Sequence, residues 1–203
     1  MMLQVVAHDV KNKLAELALL LAADNPGAAA LVMDAAETLT QALMMDNHRL
    51  EPQVDAACPA DLLDELATEY GQLFPNKRIG VDSGETPSLW FYDASLLRLT
   101  LSNAVHNALK FCRSTVGLRA REIDGFLVFE VRDDGDGFSD EILATDFTSE
   151  NGVASRSDRG TGLGLLLSSR IVQAHATARD GIKRTGWIAL HNDHGAVTRL
   201  ALP

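Results

Sequence analysis

The stretch Leu127-Val128-Phe129-Glu130-Val131-Arg132-Asp133-Asp134-Gly135-Asp136-Gly137 decides how the fold of this chain is interpreted. Its first part is apolar and β-branched, which predicts a buried strand. Glycine permits positive φ and a close approach of the backbone to a ligand, so the end of this strand suits a polyanionic group. A glycine pair after a strand is more often a simple turn, and the stretch therefore indicates a site only together with other segments.

A second glycine cluster, Gly160-Thr161-Gly162-Leu163-Gly164, directly precedes a predicted helix. Backbone N–H groups at a helix N-terminus, together with the helix dipole, favour phosphate. The cluster is not a dinucleotide fingerprint, because it lacks the βαβ context and the glycine spacing. It is not a P-loop either, because no Gly-Lys-Ser/Thr follows. Taken alone, it is also explained by a flexible entry to the helix.

A third segment is the predicted helix over residues 94–112. Asn103 and Asn107 are four residues apart on one face of this helix, and Lys110 lies near the same face. Asparagine is a middling helix former, so propensity does not explain the pair. Two amide oxygens and a lysine on one face suit Mg²⁺ and phosphates, since Mg²⁺ prefers hard oxygen ligands. A solvated polar face is the alternative.

The three segments together resemble the sequence boxes of sensor histidine kinases. Asp93-x-x-x-Leu97-x-x-x-x-x-Asn103-x-x-x-Asn107-Ala108-x-Lys110-Phe111 is similar to the asparagine box. Asp133-x-Gly135-x-Gly137 resembles the first glycine box, and Gly160-Thr161-Gly162-Leu163-Gly164-Leu165 resembles the second. The resemblance covers residues 60–203 and implies the α/β sandwich ATP-binding domain that this family shares with Hsp90, MutL and type II topoisomerases. The predicted strands and helices after residue 60 independently favour an α/β sandwich. They include a hairpin around Ile123-Asp124-Gly125 and a single short strand over residues 178–183.

The resemblance implies ATP and Mg²⁺ as cofactors and a role for each box. Asn107 would be the Mg²⁺ ligand, Asn103 would polarise water or phosphate, and Lys110 would meet phosphate charge. Asp133 would accept a hydrogen bond from the adenine amino group, which discriminates ATP from GTP. The residues that would shape the nucleotide pocket are Gly135, Gly137, Gly160, Thr161, Gly162, Leu163 and Gly164.

Residues 139–159 are polar and, by the same resemblance, would form a lid over ATP with Phe147 as its hydrophobic latch. The chain departs from the family pattern at two places. Asp134 stands where an asparagine is common. Residues 195–200 keep only part of the usual glycine–threonine–phenylalanine pattern.

The first 51 residues show helical periodicity and no strand signal. One apolar stripe is formed by Leu3, Val6, Val10, Leu14, Leu17 and Leu21, and a second by Val32, Ala35, Leu39 and Leu43. The turn residues 24–27 separate them, which predicts an antiparallel helical hairpin. Pairing with a second copy as a four-helix bundle would bury both stripes. The predicted fold is therefore α+β, with a helical hairpin for dimerisation over 1–51, a linker over 51–59 and an α/β sandwich over 60–203.

His8 points away from the first apolar stripe, and Asn12 follows one turn later on the same face. A lone exposed histidine usually has no function. The segment His8-Asp9-Val10-Lys11-Asn12 nevertheless resembles the phosphoacceptor box of the same kinases. The resemblance implies that His8 takes the γ-phosphoryl group of ATP, with Asp9 as general base. Asn12 would position a water molecule or the aspartate of a response-regulator receiver domain.

Composition limits the alternatives. The 203 residues are 46% hydrophobic and 23% charged, as in ordinary globular proteins. A net charge of −10 argues against binding nucleic acid by bulk charge, and two cysteines are too few for a disulfide scaffold. No apolar run approaches the ~20 residues of a membrane span, and we expect a soluble, cytoplasmic chain.

The predicted function is an ATP-dependent protein-histidine kinase core that autophosphorylates on His8 and passes the group to a receiver domain. One alternative is a histidine phosphotransferase or scaffold with a vestigial ATP domain, against which the intact boxes count. Another is a serine kinase of the anti-sigma type on the same fold, which would have no use for His8 and Asp9 on a helical hairpin.

Overall fold

The computed structural model describes residues 10, 13–14, 16–21, 24–45, 50–146, 163–179 and 182–203. In chain order the helices are α1 (Pro26–Met45), α2 (Pro59–Leu73), α3 (Ala94–Phe111), α4 (Asp140–Leu143) and α5 (Leu163–Ala174). The strands are β1 (Asp55–Ala57), β2 (Arg78–Asp82), β3 (Trp90–Tyr92), β4 (Thr115–Ile123), β5 (Phe126–Asp133), β6 (Thr177–Arg179), β7 (Ile182–Arg184), β8 (Trp187–Asn192) and β9 (Ala196–Leu202).

Helical residues lie on both sides of the predicted turn near the N-terminus. Residues 16–21 are helical, and Asn25 caps α1 by accepting a hydrogen bond from the Ala28 N–H at 3.0 Å. Within the described residues, no helix is both long and apolar enough to cross a membrane. The helix positions agree with the sequence, whereas the antiparallel hairpin and the four-helix bundle stay predictions.

The main sheet has five strands in the order β2-β4-β5-β9-β8. Only the β2–β4 pair is parallel, and the other three pairs are antiparallel. The β4–β5 hairpin turns through Asp124 and Gly125, whose φ angles are 53° and 75°. Such angles belong to the two-residue turns that Asp-Gly favours, and the predicted hairpin is confirmed.

One face of the sheet carries the core. Alternate residues of β5, Leu127, Phe129 and Val131, are almost fully buried and belong to one cluster with side chains of α2, α3 and α5. Asp133 continues this alternation, so its side chain is on the helical side of the sheet. The mixed, sheet-based architecture predicted for residues 60–203 is therefore present.

The opposite face of the sheet is joined by a charged cross-strand ladder. Glu130 is directly opposite Arg119 on β4 and Arg199 on β9. Its carboxylate accepts from Arg119 at 2.8 Å and from Arg199 at 2.7 Å. Burial opposes ionisation, but these hydrogen bonds outweigh it and lower the pKa of Glu130. The ladder ties the three central strands together on the face opposite α2, α3 and α5.

Two expectations from the sequence are corrected. Residues 51–59, predicted as a linker, contain β1, which pairs antiparallel with β3. Residues 178–183, predicted as one strand, belong to two short strands, β6 and β7, that pair with each other. The intervening Asp180-Gly181 is a strong turn signal that the single-strand interpretation overlooked.

Candidate functional site

The start of α3 is fixed by Asp93. This residue caps the helix by accepting from the Leu96 N–H at 3.0 Å, and its other carboxylate oxygen accepts from the Gln53 N–H at 2.8 Å. The Asp93 N–H donates to Nε2 of His175 at 3.0 Å, which places the proton of the neutral imidazole on Nδ1, 2.8 Å from the Ile171 carbonyl. Burial lowers the pKa of His175 and so favours this neutral form. The start of α3 is thus linked to the end of α5.

The structure brings the predicted asparagine box against the second glycine box. Asn103 is buried on α3, and a Cβ added at Gly164 on α5 would overlap its side-chain amide. Only glycine therefore allows the first turn of α5 to approach Asn103 this closely. Asn107 Nδ2 donates a long hydrogen bond, 3.4 Å, to Asn103 Oδ1. Asn103 and Gly164, which are 61 positions apart in sequence, meet here.

Asn107 and Lys110 lie on the exposed part of α3. The ammonium of Lys110 is 2.8 Å from Oδ2 of Asp34 on α1, and the two side chains are 42% and 41% exposed. The other Asp34 oxygen, Oδ1, is 3.8 Å from Nδ1 of the buried His106. Sequence reasoning missed Asp34, because nothing in the local pattern connects it with a lysine 76 positions later.

Asp133 ends β5 inside the fold, with 6% of its surface exposed. Oδ1 accepts hydrogen bonds from the backbone N–H groups of Gly135 at 2.8 Å and Ala196 at 3.2 Å. Within the part of the chain that the structure describes, Oδ2 makes no hydrogen bond. One oxygen thus fixes the orientation of the carboxylate, and the other remains an acceptor for a donor such as the adenine amino group.

The neighbouring Asp134 explains the first departure from the family pattern. Its carboxylate accepts from the backbone N–H groups of Arg113, Ser114 and Thr115, at 2.8, 2.9 and 3.1 Å, and from the Ser114 hydroxyl at 2.7 Å. The hydrogen bond from the Ser114 N–H is the main reason why the pKa of Asp134 is held well below its usual range. Asp134 therefore anchors the start of β4, on the other side of the backbone from Asp133.

The first glycine box is also held by the loop between β8 and β9. Asn192 accepts from the Phe138 N–H at 2.8 Å and donates to the Phe138 carbonyl at 2.9 Å. Gly137 has φ +85° beside this amide, and Gly195 has φ +149° where an added Cβ would overlap the Asp133 carbonyl. Sequence reasoning missed Asn192 and the role of Gly195, because their partners are more than 50 positions away.

Several predicted site residues lie outside the described residues. They are His8, Asp9, Asn12, Phe147, Gly160, Thr161 and Gly162. Of the predicted lid, residues 139–146 are described and include α4. Leu163 is the first residue of α5. Asn103, Asn107, Lys110, Asp133, Gly135, Gly137 and Gly164 are all described.

The side chains near this site suit a Mg²⁺ ion that takes most of its ligands from bound phosphate groups and water. The described residues contain no cluster of three or more histidine, cysteine, aspartate or glutamate side chains able to hold a metal. Asn107 offers a hard amide oxygen on the exposed part of α3. Mg²⁺ keeps several waters and commonly uses one or two protein ligands plus phosphate oxygens, so this single amide is compatible with it.

Comparison with known proteins finds a family that matches this chain and several relatives. Residues 92–203, just over half of the chain, match the family described as histidine kinase-, DNA gyrase B- and HSP90-like ATPases. Sensor protein KdpD of Clostridium acetobutylicum is 28% identical over 153 residues, which are 73% of this chain and 17% of KdpD. Sensor protein SrrB of Staphylococcus aureus is 23% identical over 142 residues, 67% of this chain and 24% of SrrB. The chain thus spans less than a quarter of the length of these relatives.

Solved structures share the fold. The catalytic domain of histidine kinase ThkA is similar with a TM-score of 0.61 and 17% identity, covering 74% of this chain and 97% of that one. Full-length ShkA in complex with AMPPNP is similar with a TM-score of 0.65 and 22% identity, covering 100% of this chain and 45% of that one. At these identities the likeness concerns the fold.

Proposed function

The chain belongs to the family of histidine kinase-, DNA gyrase B- and HSP90-like ATPases, and on this premise we propose that it is an ATP-dependent protein-histidine kinase. Its ATP-binding core is of the sensor histidine kinase type. The proposed reaction transfers the γ-phosphoryl group of ATP to His8 and then to an aspartate of a response-regulator receiver domain. The proposed active form is a homodimer through the helical segments before residue 51.

The observation that carries this proposal is the carboxylate of Asp133. It is buried, held by two backbone N–H groups through Oδ1, and has an acceptor left on Oδ2. Such an acceptor suits the amino group of adenine and mismatches the carbonyl of guanine. Gly135 packs against the carbonyl of Phe111 with no room for a Cβ, so the first glycine box lies directly on the end of α3. An adenine held there would have its phosphates near α3.

The exposed side chains of α3 suit the phosphate end of ATP. Asn107 would bind Mg²⁺, and Lys110 would neutralise phosphate charge. Mg²⁺ would supply electrostatic stabilisation of the charge on the phosphate oxygens. The first turn of α5 packs on Asn103, and backbone N–H groups at a helix N-terminus suit phosphate. Positioning and charge neutralisation are what phosphoryl transfer needs most.

In the proposed transfer, an imidazole nitrogen of His8 attacks the γ-phosphorus. A P–N bond forms, the bond from the γ-phosphorus to the bridging oxygen breaks, and ADP leaves. Asp9 accepts the proton from the imidazole. In the second step an aspartate oxygen of the receiver domain takes the phosphoryl group, and the P–N bond breaks. Asn12 would orient the groups that approach His8.

Incubation with γ-labelled ATP and Mg²⁺ tests this function. The chain should acquire label that is stable in alkali and lost in acid, and His8→Gln should remove it. His191→Gln is the matched control, since His191 on β8 pairs with Val197 and alternates onto the face of the sheet opposite the core. Label that persists in His8→Gln rejects phosphorylation on His8. A chain that shows no affinity for ATP at millimolar concentration would instead support a histidine phosphotransferase.

A further inference from the structure

The contact between Asp34 and Lys110 joins the segment before residue 51 to the predicted phosphate end of the site. Helix α1 packs against α5, and its Ala29 and Met33 are part of the main core cluster. From this docked helix, Asp34 extends to α3 and pairs with Lys110 at 2.8 Å. The cation assigned to ATP phosphate is therefore already bound by a carboxylate.

The two uses of Lys110 conflict. Its ammonium is a compact point charge on a flexible stem, and it is 42% exposed, so it can turn toward a different anion. A phosphate that binds Lys110 must displace the Asp34 carboxylate, which carries charge of the same sign as the phosphate. Asp34 beside the bound phosphates would repel them, because like charges at short range raise the free energy of the complex.

We propose that Asp34 and the phosphates of ATP compete for Lys110, so that the docking of α1 on the ATP-binding core and nucleotide binding weaken each other. The inference rests on the proposed function, which places the phosphates of ATP at Lys110. Coupling between two binding events is reciprocal, and nucleotide therefore loosens α1 by the same factor by which docked α1 weakens nucleotide binding. The helix that carries Asp34 follows the segment that carries His8, so release of α1 would accompany loading with ATP.

The size and salt dependence of the effect follow from the exposure of the pair. Exposed ion pairs change an equilibrium by up to about fivefold. The Debye length, beyond which salt largely screens the interaction of exposed charges, is about 3 Å at 1 M and about 30 Å at 0.01 M. The competition should therefore be largest at low ionic strength and weaken at high ionic strength. If Asp34 instead held Lys110 ready for phosphate, its removal would weaken nucleotide binding, which is an effect of the opposite sign.

The test compares the full chain with Asp34→Asn by calorimetric titration, using a non-hydrolysable ATP analogue with Mg²⁺ as one ligand and adenosine as the other. Asp34→Asn should bind the ATP analogue about threefold to fivefold more tightly at about 0.01 M ionic strength, and the difference should shrink at about 1 M. Its affinity for adenosine should not change. Asp24→Asn is the matched control, because it removes the same charge from the exposed turn before α1 and should leave both affinities unaltered.

The outcomes that overturn the proposal differ from the one that rejects only the kinase reaction. Unchanged or weaker binding of the analogue by Asp34→Asn rejects competition. Tighter binding of adenosine as well, or a gain that does not fall as salt is raised, indicates a rearranged site and also rejects it. If neither protein binds the analogue, the proposed function fails and the competition fails with it. Loss of labelling on His8 with the affinity difference intact would reject the kinase reaction alone.

Discussion

The two ends of the candidate ATP site are built differently. At the adenine end, Asp133 is 6% exposed and is held by the backbone N–H groups of Gly135, just after β5, and Ala196, the first residue of β9. At the phosphate end, Lys110 is 42% exposed and its partner is a side chain on another helix. The first end depends on backbone geometry, and the second depends on side chains that can change partner.

This difference shows which end of the site is preorganised before a ligand binds. Groups fixed by the fold lose little freedom when a ligand arrives, whereas exposed side chains must be ordered by it. We therefore expect changes at the adenine end to alter stability and the binding of both adenosine and ATP. Changes at the phosphate end should alter only ligands with phosphates.

The largest effect is expected for Gly195→Ala, which disturbs the fixed end. At φ +149° an alanine is strained, and its Cβ would overlap the Asp133 carbonyl. The free energy of unfolding should fall by about 2–3 kcal/mol, as measured by urea unfolding. Gly117→Ala is the control, since nothing lies within 4 Å of a Cβ added there. Equal stability of the two variants would show that the β8–β9 loop does not constrain the first glycine box.

Asp133→Asn should have the next largest effect, on affinity more than on stability. The amide oxygen can still accept from Gly135 and Ala196, but an NH₂ group replaces the acceptor Oδ2. Adenosine and ATP should both bind about 10- to 30-fold more weakly. In competition titrations the affinity for GTP should rise relative to the affinity for ATP. Asp136→Asn is the control, because this side chain is 80% exposed. Unchanged ATP affinity would place the adenine elsewhere.

The smallest effect is expected for Lys110→Met, which removes the charge and keeps the stem. ATP should bind up to about fivefold more weakly at low ionic strength, and adenosine should bind as before. Lys183→Met, on the exposed strand β7, is the control for a lost positive charge. Calorimetric titration with both ligands checks the prediction. Equal weakening of adenosine would contradict the division of the site into two ends.

The sequence predicted most elements of the ATP-binding core because their signals are local. Asp124-Gly125 specifies the β4–β5 hairpin, and the periodicity of α3 places its two asparagines on one face. The assignment of the core to the ATPase family from sequence rests on the resemblance of its three boxes to those of sensor histidine kinases.

The contacts that complete the site depend on tertiary structure and leave little local trace. Asn192 binds Phe138 across 54 positions, and Asp34 reaches Lys110 across 76. The sequence shows Asp134 only as a departure from the family pattern. Its role depends on the backbone N–H groups at the start of β4, which the fold brings to its carboxylate. A single sequence does not show which distant segment supplies a donor.

The position of β9 has a consequence for how the site is made during translation. This strand lies between β5 and β8, although it is the last of the nine along the described chain. The Ala196 N–H that binds Asp133 comes from its first residue. A nascent chain that has not yet exposed residues 196–202 therefore has an open sheet and an unfixed adenine carboxylate. Nucleotide stabilises such a chain little, and ATP affinity should arise only after β9 has paired with β5 and β8.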